Sequence, residues 1–300
     1  MASHVHIKPK SNSIKILLRW GELELKKYKI PSPLLDAEVL LVHVLQVNRH
    51  VLLTDPSICL TNLQKVRYQK FIRRRCQYEP VAFLTQKKEF MSLSFRVTPD
   101  VLIPRPETEL LVEEVISQAR ELHKSIDMLD IGTGSGCIAV SCAKYIKNIR
   151  IVALEKNRKA LNIAKENAQQ NDVKNFIKFY RGDIFKGIPK TWGKKGFDFV
   201  VSNPPYIARS AFPKLQKDVW KYEPKEALVG GKDGLEIIRN IITQTPEYLK
   251  PNGLLMMEIG YDQGNAVKNL LQRDLRYNLK SIVIKKDYAG LDRIAIAQKG

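Results

Sequence analysis

Four consecutive residues, Asn203-Pro204-Pro205-Tyr206, offer the clearest chemistry in this chain. They follow the apolar run 197–201, which predicts a buried strand. The two prolines end that strand because neither can donate a hydrogen bond to a neighbouring strand. The Asn203 carboxamide therefore lies on a stiff turn, with the Tyr206 ring close by. This arrangement suits the binding of a planar NH2 group, although a proline-rich turn without function gives the same tetrapeptide.

A glycine-rich turn, Gly132-Thr133-Gly134-Ser135-Gly136, lies between a predicted strand over 127–131 and a predicted helix over 137–146. Alternating glycines tolerate positive φ and let backbone amides approach a ligand closely. The dinucleotide fingerprint is GxGxxG, but here the third glycine comes one residue early and Cys137 stands at the position that fingerprint needs. The turn thus indicates a ligand site without identifying a dinucleotide.

The next two strands supply further polar groups. Glu155 ends the predicted strand 151–154, where a carboxylate can accept hydrogen bonds from both hydroxyls of a ribose. Asp183 and Ile184 follow the third strand, where the carboxylate could accept from an adenine amino group while Ile184 packs on the ring. Glu155 is compatible with NAD or with an adenosyl sulfonium. We expect no basic group poised to neutralise a phosphate, which favours S-adenosylmethionine.

The elements that must position these residues follow two patterns. Helix and strand alternate from residue 107 onward, which predicts an α/β fold with a doubly wound, mostly parallel sheet. The last two predicted strands, 279–284 and 293–297, have no helix between them and must be antiparallel. Residues 14–78 have helical periodicity and predict a small bundle. Residues 90–97 alternate as one arm of a hairpin, and 235–249 predict a helix before a strand over 253–259.

Composition narrows the class of partner. The net charge of +19 favours an acidic partner, including nucleic acid, or else is scattered over solvated faces. Only the run 65–75 is densely basic. The four cysteines, Cys59, Cys76, Cys137 and Cys142, form no CxxC pair, so we expect no metal site, no disulfide framework and a reducing compartment.

The sequence also bears on location. It contains no run of 18 apolar residues, so we expect no membrane span. Residues 1–10 lack the apolar core of a secretory signal but are compatible with a short organellar presequence. We predict a cytoplasmic protein, with a mitochondrial or other organellar matrix as the alternative.

Together the glycine-rich turn, Glu155, Asp183 and the tetrapeptide at 203–206 resemble the class I S-adenosylmethionine-dependent methyltransferases that act on amino groups. The resemblance then narrows to the release factor protein-(glutamine-N5) methyltransferases. It is carried by 103–109 (Ile-Pro-Arg-Pro-Glu-Thr-Glu), its most specific part, and by 32–41, 222–224, 230–235, 258–260 with Gln263, and 289–293. The chain departs from the family pattern at Thr85-Gln86, where the family commonly has a small residue or glycine.

The resemblance implies a seven-stranded methyltransferase sheet and three regions. These are an N-terminal helical substrate-recognition domain over 1–86, a hairpin linker over 87–106 and a methyltransferase domain over 107–300. It implies binding of S-adenosylmethionine by Gly132, Thr133, Gly134, Ser135, Gly136, Glu155, Asp183, Ile184 and Asn203. The roles of Arg105, Glu258 and Gln263 stay open, and Glu258 could simply end its strand facing solvent.

The implied reaction is methylation of the glutamine in the Gly-Gly-Gln loop of class 1 peptide chain release factors. Asn203, Pro204 and Tyr206 would be catalytic. The Asn203 side-chain oxygen and the Pro204 carbonyl would accept the two amide hydrogens, while Pro205 and Tyr206 complete the substrate site. Two alternatives are glutamine methylation of a ribosomal protein and adenine-N6 methylation of DNA, since an adenine amine is also a planar NH2 but requires base flipping.

Overall fold

The computed structural model describes residues 12–122 and 124–300, so the question of a presequence at 1–10 lies outside the described residues. The chain divides into two compact units. The smaller unit extends to Gln86 and also includes Gln216–Tyr222, and the larger comprises Lys87–Leu215 and Glu223–Gly300. No helix of the described chain is both long and apolar enough to cross a membrane.

The smaller unit is helical, as predicted. It contains α1 (Ile14–Lys27), α2 (Pro33–Leu45), α3 (Val51–Thr54), α4 (Asn62–Cys76) and α5 (Val81–Thr85), with α10 (Lys217–Tyr222) added from later in the chain. Helix α4 begins with a capping box, in which Thr61 and Gln64 satisfy each other's backbone amides. Tyr68 and Leu41 are fully buried in the core that these helices share.

The segment 216–222 packs with the helices of the smaller unit. The Tyr222 hydroxyl donates to the Gln77 carbonyl at 2.9 Å, and the Lys217 ammonium lies 4.7 Å from the centre of the Tyr78 ring. These partners are far away in sequence, so no local pattern could reveal them.

The larger unit contains a seven-stranded sheet in the order β5-β4-β3-β6-β7-β9-β8. The strands are β3 (Ile126–Ile131), β4 (Ile149–Glu155), β5 (Ile177–Arg181), β6 (Phe197–Ser202), β7 (Leu249–Glu258), β8 (Ser281–Lys286) and β9 (Asp292–Gln298). All neighbours are parallel except β9, which runs antiparallel to both β7 and β8. The predicted α/β class, doubly wound sheet and antiparallel final pair are confirmed.

Helices cover both faces of this sheet, and buried residues form a separate core against each face. They are α6 (Pro106–Glu121), α7 (Cys137–Tyr145), α8 (Arg158–Gln170), α9 (Lys190–Lys195), α11 (Glu236–Gln244) and α12 (Gly264–Arg273). The helix predicted over 235–249 ends early, at Gln244. A 3-10 turn with Pro246 follows, because proline has no amide hydrogen to continue the helix, and β7 begins at Leu249.

A hairpin opens the larger unit. Strands β1 (Lys87–Phe90) and β2 (Leu93–Arg96) pair with each other, which confirms the predicted hairpin, although the turn falls inside the arm predicted over 90–97. Met91 and Ser92 form its two-residue turn with φ of 49° and 58°, and a turn with two positive φ values matches the twist of a hairpin. Gln86, just before β1, also has a positive φ of 54°, which explains why glycine is favoured there.

Candidate functional site

The predicted residues meet at one edge of the sheet. Ile131 of β3 pairs with Ser202 of β6, so the chain leaves these neighbouring strands side by side at Gly132 and Asn203. On the other flank, Ile131 pairs with Leu154 of β4, which places Glu155 next to Gly132. The parallel register therefore brings the glycine-rich turn, the Glu155 carboxylate and the tetrapeptide together.

The tetrapeptide borders a small cavity in the larger unit. Its walls are Leu102, Arg105, Asn203, Pro204, Pro205, Tyr206, Ile207, Ala227, Leu228 and Glu258. Two oxygens were predicted to accept hydrogen bonds from the substrate, Asn203 Oδ1 and the Pro204 carbonyl oxygen. Neither accepts a hydrogen bond from any group in residues 12–122 and 124–300. Both acceptors are thus available to a ligand.

Behind Asn203 lies a chain of hydrogen bonds. The Asn203 Nδ2 donates to Thr108 Oγ1 at 3.0 Å, and Thr108 Oγ1 donates to Glu258 Oε2 at 2.6 Å. The Tyr206 hydroxyl donates to the other carboxylate oxygen, Oε1, at 3.1 Å. Thr108 lies in the first turn of α6 and Glu258 ends β7. Elements 150 positions apart in sequence therefore support one carboxamide.

The sequence left open that Glu258 ends its strand facing solvent. In the structure it does not face solvent. Its side chain is buried, and burial raises the pKa of its carboxyl, because removing water disfavours the charged form. The hydrogen bonds from Thr108 and Tyr206 and the nearby Arg293 guanidinium act in the opposite direction on that pKa. Burial likewise raises the pKa of the Tyr206 phenol, so Tyr206 stays a hydrogen-bond donor.

Gln263 holds the main chain of this loop. Its Nε2 donates to the Tyr206 carbonyl at 3.0 Å, while its Oε1 accepts from the Gly260 amide at 2.9 Å. Gly234 has a φ of +79°, and a Cβ there would lie 2.3 Å from the Tyr206 carbonyl oxygen. Glycine at 234 is therefore required by close approach of the backbone to the tetrapeptide.

Arg105 and Glu223 join two motifs that the sequence analysis singled out. The Arg105 guanidinium pairs with Glu223 Oε1 at 2.5 Å, and the Ile103 amide donates to Glu223 Oε2 at 3.1 Å. The Glu223 side chain is buried, whereas Arg105 extends to the cavity wall. The Arg105–Glu223 pair therefore holds the chain segment that leads into α6 in place beside the tetrapeptide.

The glycine-rich turn forms an open cradle. Gly132, Gly134 and Gly136 have φ values of +69°, +56° and +82°. A Cβ at Gly132 would meet nothing within 4 Å, and one at Gly134 only a backbone oxygen at 3.8 Å, so these two glycines face free space. A Cβ at Gly136 would instead lie 3.1 Å from the Ala164 Cβ, and Ser135 is buried. The turn therefore offers space for a ligand at its first half.

Glu155 is already tied to this cradle. Its Oε2 accepts from the Gly134 amide at 2.9 Å and its Oε1 from the Asn157 amide at 2.8 Å. Each carboxylate oxygen has a second lone pair, so Glu155 can still accept hydrogen bonds from a bound ligand.

Asp130, the last residue but one of β3, is a functional candidate that the sequence analysis did not weigh. It is fully buried, and Thr133 Oγ1 donates to its Oδ2 at 2.6 Å. Its Oδ1 is buried with no hydrogen-bond partner within the described chain. Burial raises the pKa of this carboxyl to about 7. Its signal in sequence was an acid ending an apolar strand directly before the glycines.

Asp183 and Ile184 lie in the turn after β5, where Ile184 has a φ of 56°. The Lys156 ammonium pairs with Asp183 Oδ2 at 3.1 Å, so a cation does lie at these loops, where the sequence analysis expected none poised to neutralise a phosphate. Both side chains are more than half exposed, so the pair contributes little to stability. Lys156 directly follows Glu155, and this charge was overlooked in the sequence.

Two family models match the chain. The PrmC N-terminal domain matches residues 17–85, and the Methyltransferase small domain matches residues 106–221. The first match falls in the smaller unit, and the second begins with α6 and includes the cradle and the tetrapeptide.

Curated relatives match over most of the chain. The release factor glutamine methyltransferase of Clostridium acetobutylicum is 40% identical over 265 residues, covering 88% of this chain and 91% of that protein. The release factor glutamine methyltransferase of Vibrio cholerae is 38% identical, covering 96% of this chain and 97% of that protein.

A solved methyltransferase from Pyrococcus furiosus has a similar fold. Its TM-score is 0.51 at 20% identity, and the match covers 71% of this chain and 92% of that chain. At this identity the similarity concerns the fold alone.

Proposed function

Since the chain belongs to the release factor glutamine methyltransferase family, we propose that it methylates the glutamine of the Gly-Gly-Gln loop in class 1 peptide chain release factors. The methyl group would move from S-adenosylmethionine to the side-chain nitrogen N5. The observation that carries the proposal is the pair of free acceptors, Asn203 Oδ1 and the Pro204 carbonyl, beside the glycine cradle.

The residues present fit S-adenosylmethionine. Gly132 and Gly134 face free space, and Glu155 retains acceptor capacity for ribose hydroxyls. Carboxylates suit a ligand with positive ammonium and sulfonium groups. Gly132, Thr133, Gly134, Ser135, Gly136, Glu155, Asp183 and Ile184 would hold the cofactor, with Asn203 at its methyl end. When bound, it supplies an electrophilic methyl group on sulfur.

The protein's own contribution is to aim the acceptor. A glutamine nitrogen is a weak nucleophile because its lone pair is delocalised into the carbonyl. Asn203 Oδ1 and the Pro204 carbonyl would each accept one of its hydrogens, with Pro205 and Tyr206 completing the pocket. Fixing the nitrogen in line with the methyl group provides proximity and orientation, which can lower a barrier by up to ~7–11 kcal/mol.

The smaller unit would recognise the release factor. Its helix α4 carries exposed basic side chains, including Arg67, Lys70 and Arg73. Such a surface can steer an acidic face of a protein partner and needs no nucleic acid. We place the enzyme in the cytoplasm, where release factors act, with an organellar matrix as the alternative.

The test is transfer of labelled methyl groups to purified acceptors by the full-length enzyme. The acceptors are a class 1 release factor, the same factor with the loop glutamine replaced by alanine, a ribosomal protein mixture and duplex DNA. We expect label only in the unaltered release factor, with the added mass on the loop glutamine. Equal labelling of the alanine form, or preferential labelling of ribosomal protein or DNA, would overturn the proposal.

A further inference from the structure

The Asn203 carboxamide has two ends of similar size and opposite character. Its oxygen accepts hydrogen bonds, whereas its NH2 group donates them. Only the oxygen can accept a hydrogen from an acceptor amide, so a carboxamide turned by 180° would present hydrogens to hydrogens. Asn203 must therefore be held in one of two orientations for the site to work.

We propose that Thr108 and Glu258 are positioning residues that fix the Asn203 carboxamide with its oxygen toward the acceptor nitrogen. The inference rests on the proposed function and deepens it. Thr108 contacts Asn203 directly and Glu258 contacts Thr108, so both would act through Asn203.

The hydrogen count of the network gives the orientation. A threonine hydroxyl has one hydrogen, and an ionised carboxylate has none to give. While Glu258 is ionised, Thr108 must therefore donate to Glu258 Oε2, at 2.6 Å, and can only accept from Asn203. This selects the arrangement in which Asn203 Nδ2 points at Thr108 Oγ1, at 3.0 Å, and leaves Oδ1 on the other side.

The burial of Thr108 and Glu258 strongly favours this orientation of the Asn203 carboxamide. Thr108 and Glu258 are each 1% exposed, so water does not replace a lost hydrogen bond. The Tyr206 hydroxyl occupies the second oxygen of Glu258 at 3.1 Å, which ties the aromatic ring of the tetrapeptide to the same carboxylate. One buried group therefore supports two members of the tetrapeptide.

Protonation of Glu258 would undo the selection. A protonated carboxyl can donate to Thr108, whose own hydrogen then becomes available to Asn203 Oδ1. The carboxamide can then turn its NH2 group toward the acceptor, and methyl transfer stops.

The charged and titratable groups around Glu258 come from several elements. Tyr206 faces it from the loop after β6, Arg293 from β9, Glu107 from α6 and Cys137 from α7. Burial and Glu107 raise the pKa of Glu258, and Arg293 and the hydrogen bond from Tyr206 lower it. The net shift is upward, so turnover should fall on the acid side as Glu258 takes up a proton.

The test compares three full-length variants with release factor and S-adenosylmethionine as substrates. Thr108→Val keeps the shape and removes the hydroxyl, and Thr108→Ser keeps the hydroxyl. Thr245→Val is the matched control, since Thr245 is fully buried and its hydroxyl donates to the Ile241 carbonyl of α11. We expect kcat to fall about 100-fold in Thr108→Val and to stay within about threefold in the other two. Cofactor affinity by calorimetry should stay within about threefold in all three.

The pH profile separates positioning from packing. Turnover of the unaltered enzyme and of Thr245→Val should fall with acid, whereas the residual turnover of Thr108→Val should lose that dependence. The proposal is overturned if Thr108→Val keeps a third of kcat, keeps the same acid limb, or loses cofactor affinity by more than about tenfold. The proposal is also overturned if the kcat of Thr108→Ser is as low as that of Thr108→Val. Failure of the proposed function would instead appear as an unaltered enzyme that does not label the release factor.

Discussion

The Gly134 amide donates a hydrogen bond to Glu155 Oε2 at 2.9 Å. The turn after β3 and the end of β4 are thus joined without any ligand. Because the same carboxylate also accepts from the Asn157 amide, it is held in one orientation at the edge of the cradle. A preorganised group of this kind loses little entropy when it binds a ligand.

Replacement of Glu155 by Gln should weaken S-adenosylmethionine binding about tenfold or more and leave kcat at saturating cofactor nearly unchanged. The carboxylate would contact the ribose equally before and during methyl transfer, so its loss removes uniform binding. Calorimetry measures the affinity. The control is Glu166→Gln, an exposed carboxylate of α8 that pairs with Arg96. Unchanged affinity in Glu155→Gln would remove this residue from the cofactor site.

Asp130 should make stability depend on pH. Its pKa is raised from 3.8 to about 7 in the folded protein, so between these values the native state binds more protons than the unfolded state. The contribution of Asp130 to stability is therefore present at low pH and lost as pH rises through 7. Relative to Asp130→Asn, the unaltered protein should lose roughly 2–3 kcal/mol between pH 5 and pH 8.

Urea unfolding of both proteins across this pH range measures the difference. A control pair is provided by Asp233, whose exposed carboxylate has a lowered pKa because the Leu235 amide and Arg239 stabilise its charge. Replacement of Asp233 by Asn should give no loss of relative stability with rising pH. A parallel stability curve for Asp130→Asn and the unaltered protein would show that Asp130 titrates normally.

The basic surface of α4 should affect the rate of association with the release factor. Replacing Lys70 and Arg73, both exposed, with Gln should slow association and reduce its dependence on salt, because steering by exposed charges is screened. Stopped-flow mixing at several ionic strengths measures this. The matched pair Lys268 and Arg273, exposed on α12, should have no effect when changed to Gln. An association rate independent of salt would identify the run at 65–75 as a solvated helix face.

Much of the site was predictable because parallel strands place their carboxyl ends at one edge. Asn203, the glycine-rich turn and Glu155 each follow an apolar strand, and the register brings them together as expected. The pattern of charges within the turns was less informative. Lys156 lies beside Asp183, and this cation was not predicted. Its position directly after Glu155 in the sequence could have indicated a positive charge at that edge.

The support behind the tetrapeptide was not predictable. Thr108 appeared only within the segment 103–109 that carries the family resemblance, and Glu258 as the end of a strand. Their contact spans 150 positions and depends on how α6 packs against β7. Side-chain hydrogen bonds of this kind follow from tertiary packing, which local periodicity does not encode. The same reason explains why the packing of 216–222 with the smaller unit was not predicted.

The central claim is that Asn203 accepts a hydrogen from the reacting amide, and Asn203→Ala tests it most directly. One lost hydrogen-bond acceptor at the reacting group should cost ~2–4 kcal/mol, so turnover of release factor should fall well below a tenth of the unaltered rate. Cofactor affinity should stay within about tenfold, and Asn240→Ala on the exposed face of α11 should leave both values unchanged. Turnover above a tenth of the unaltered rate in Asn203→Ala would contradict the account.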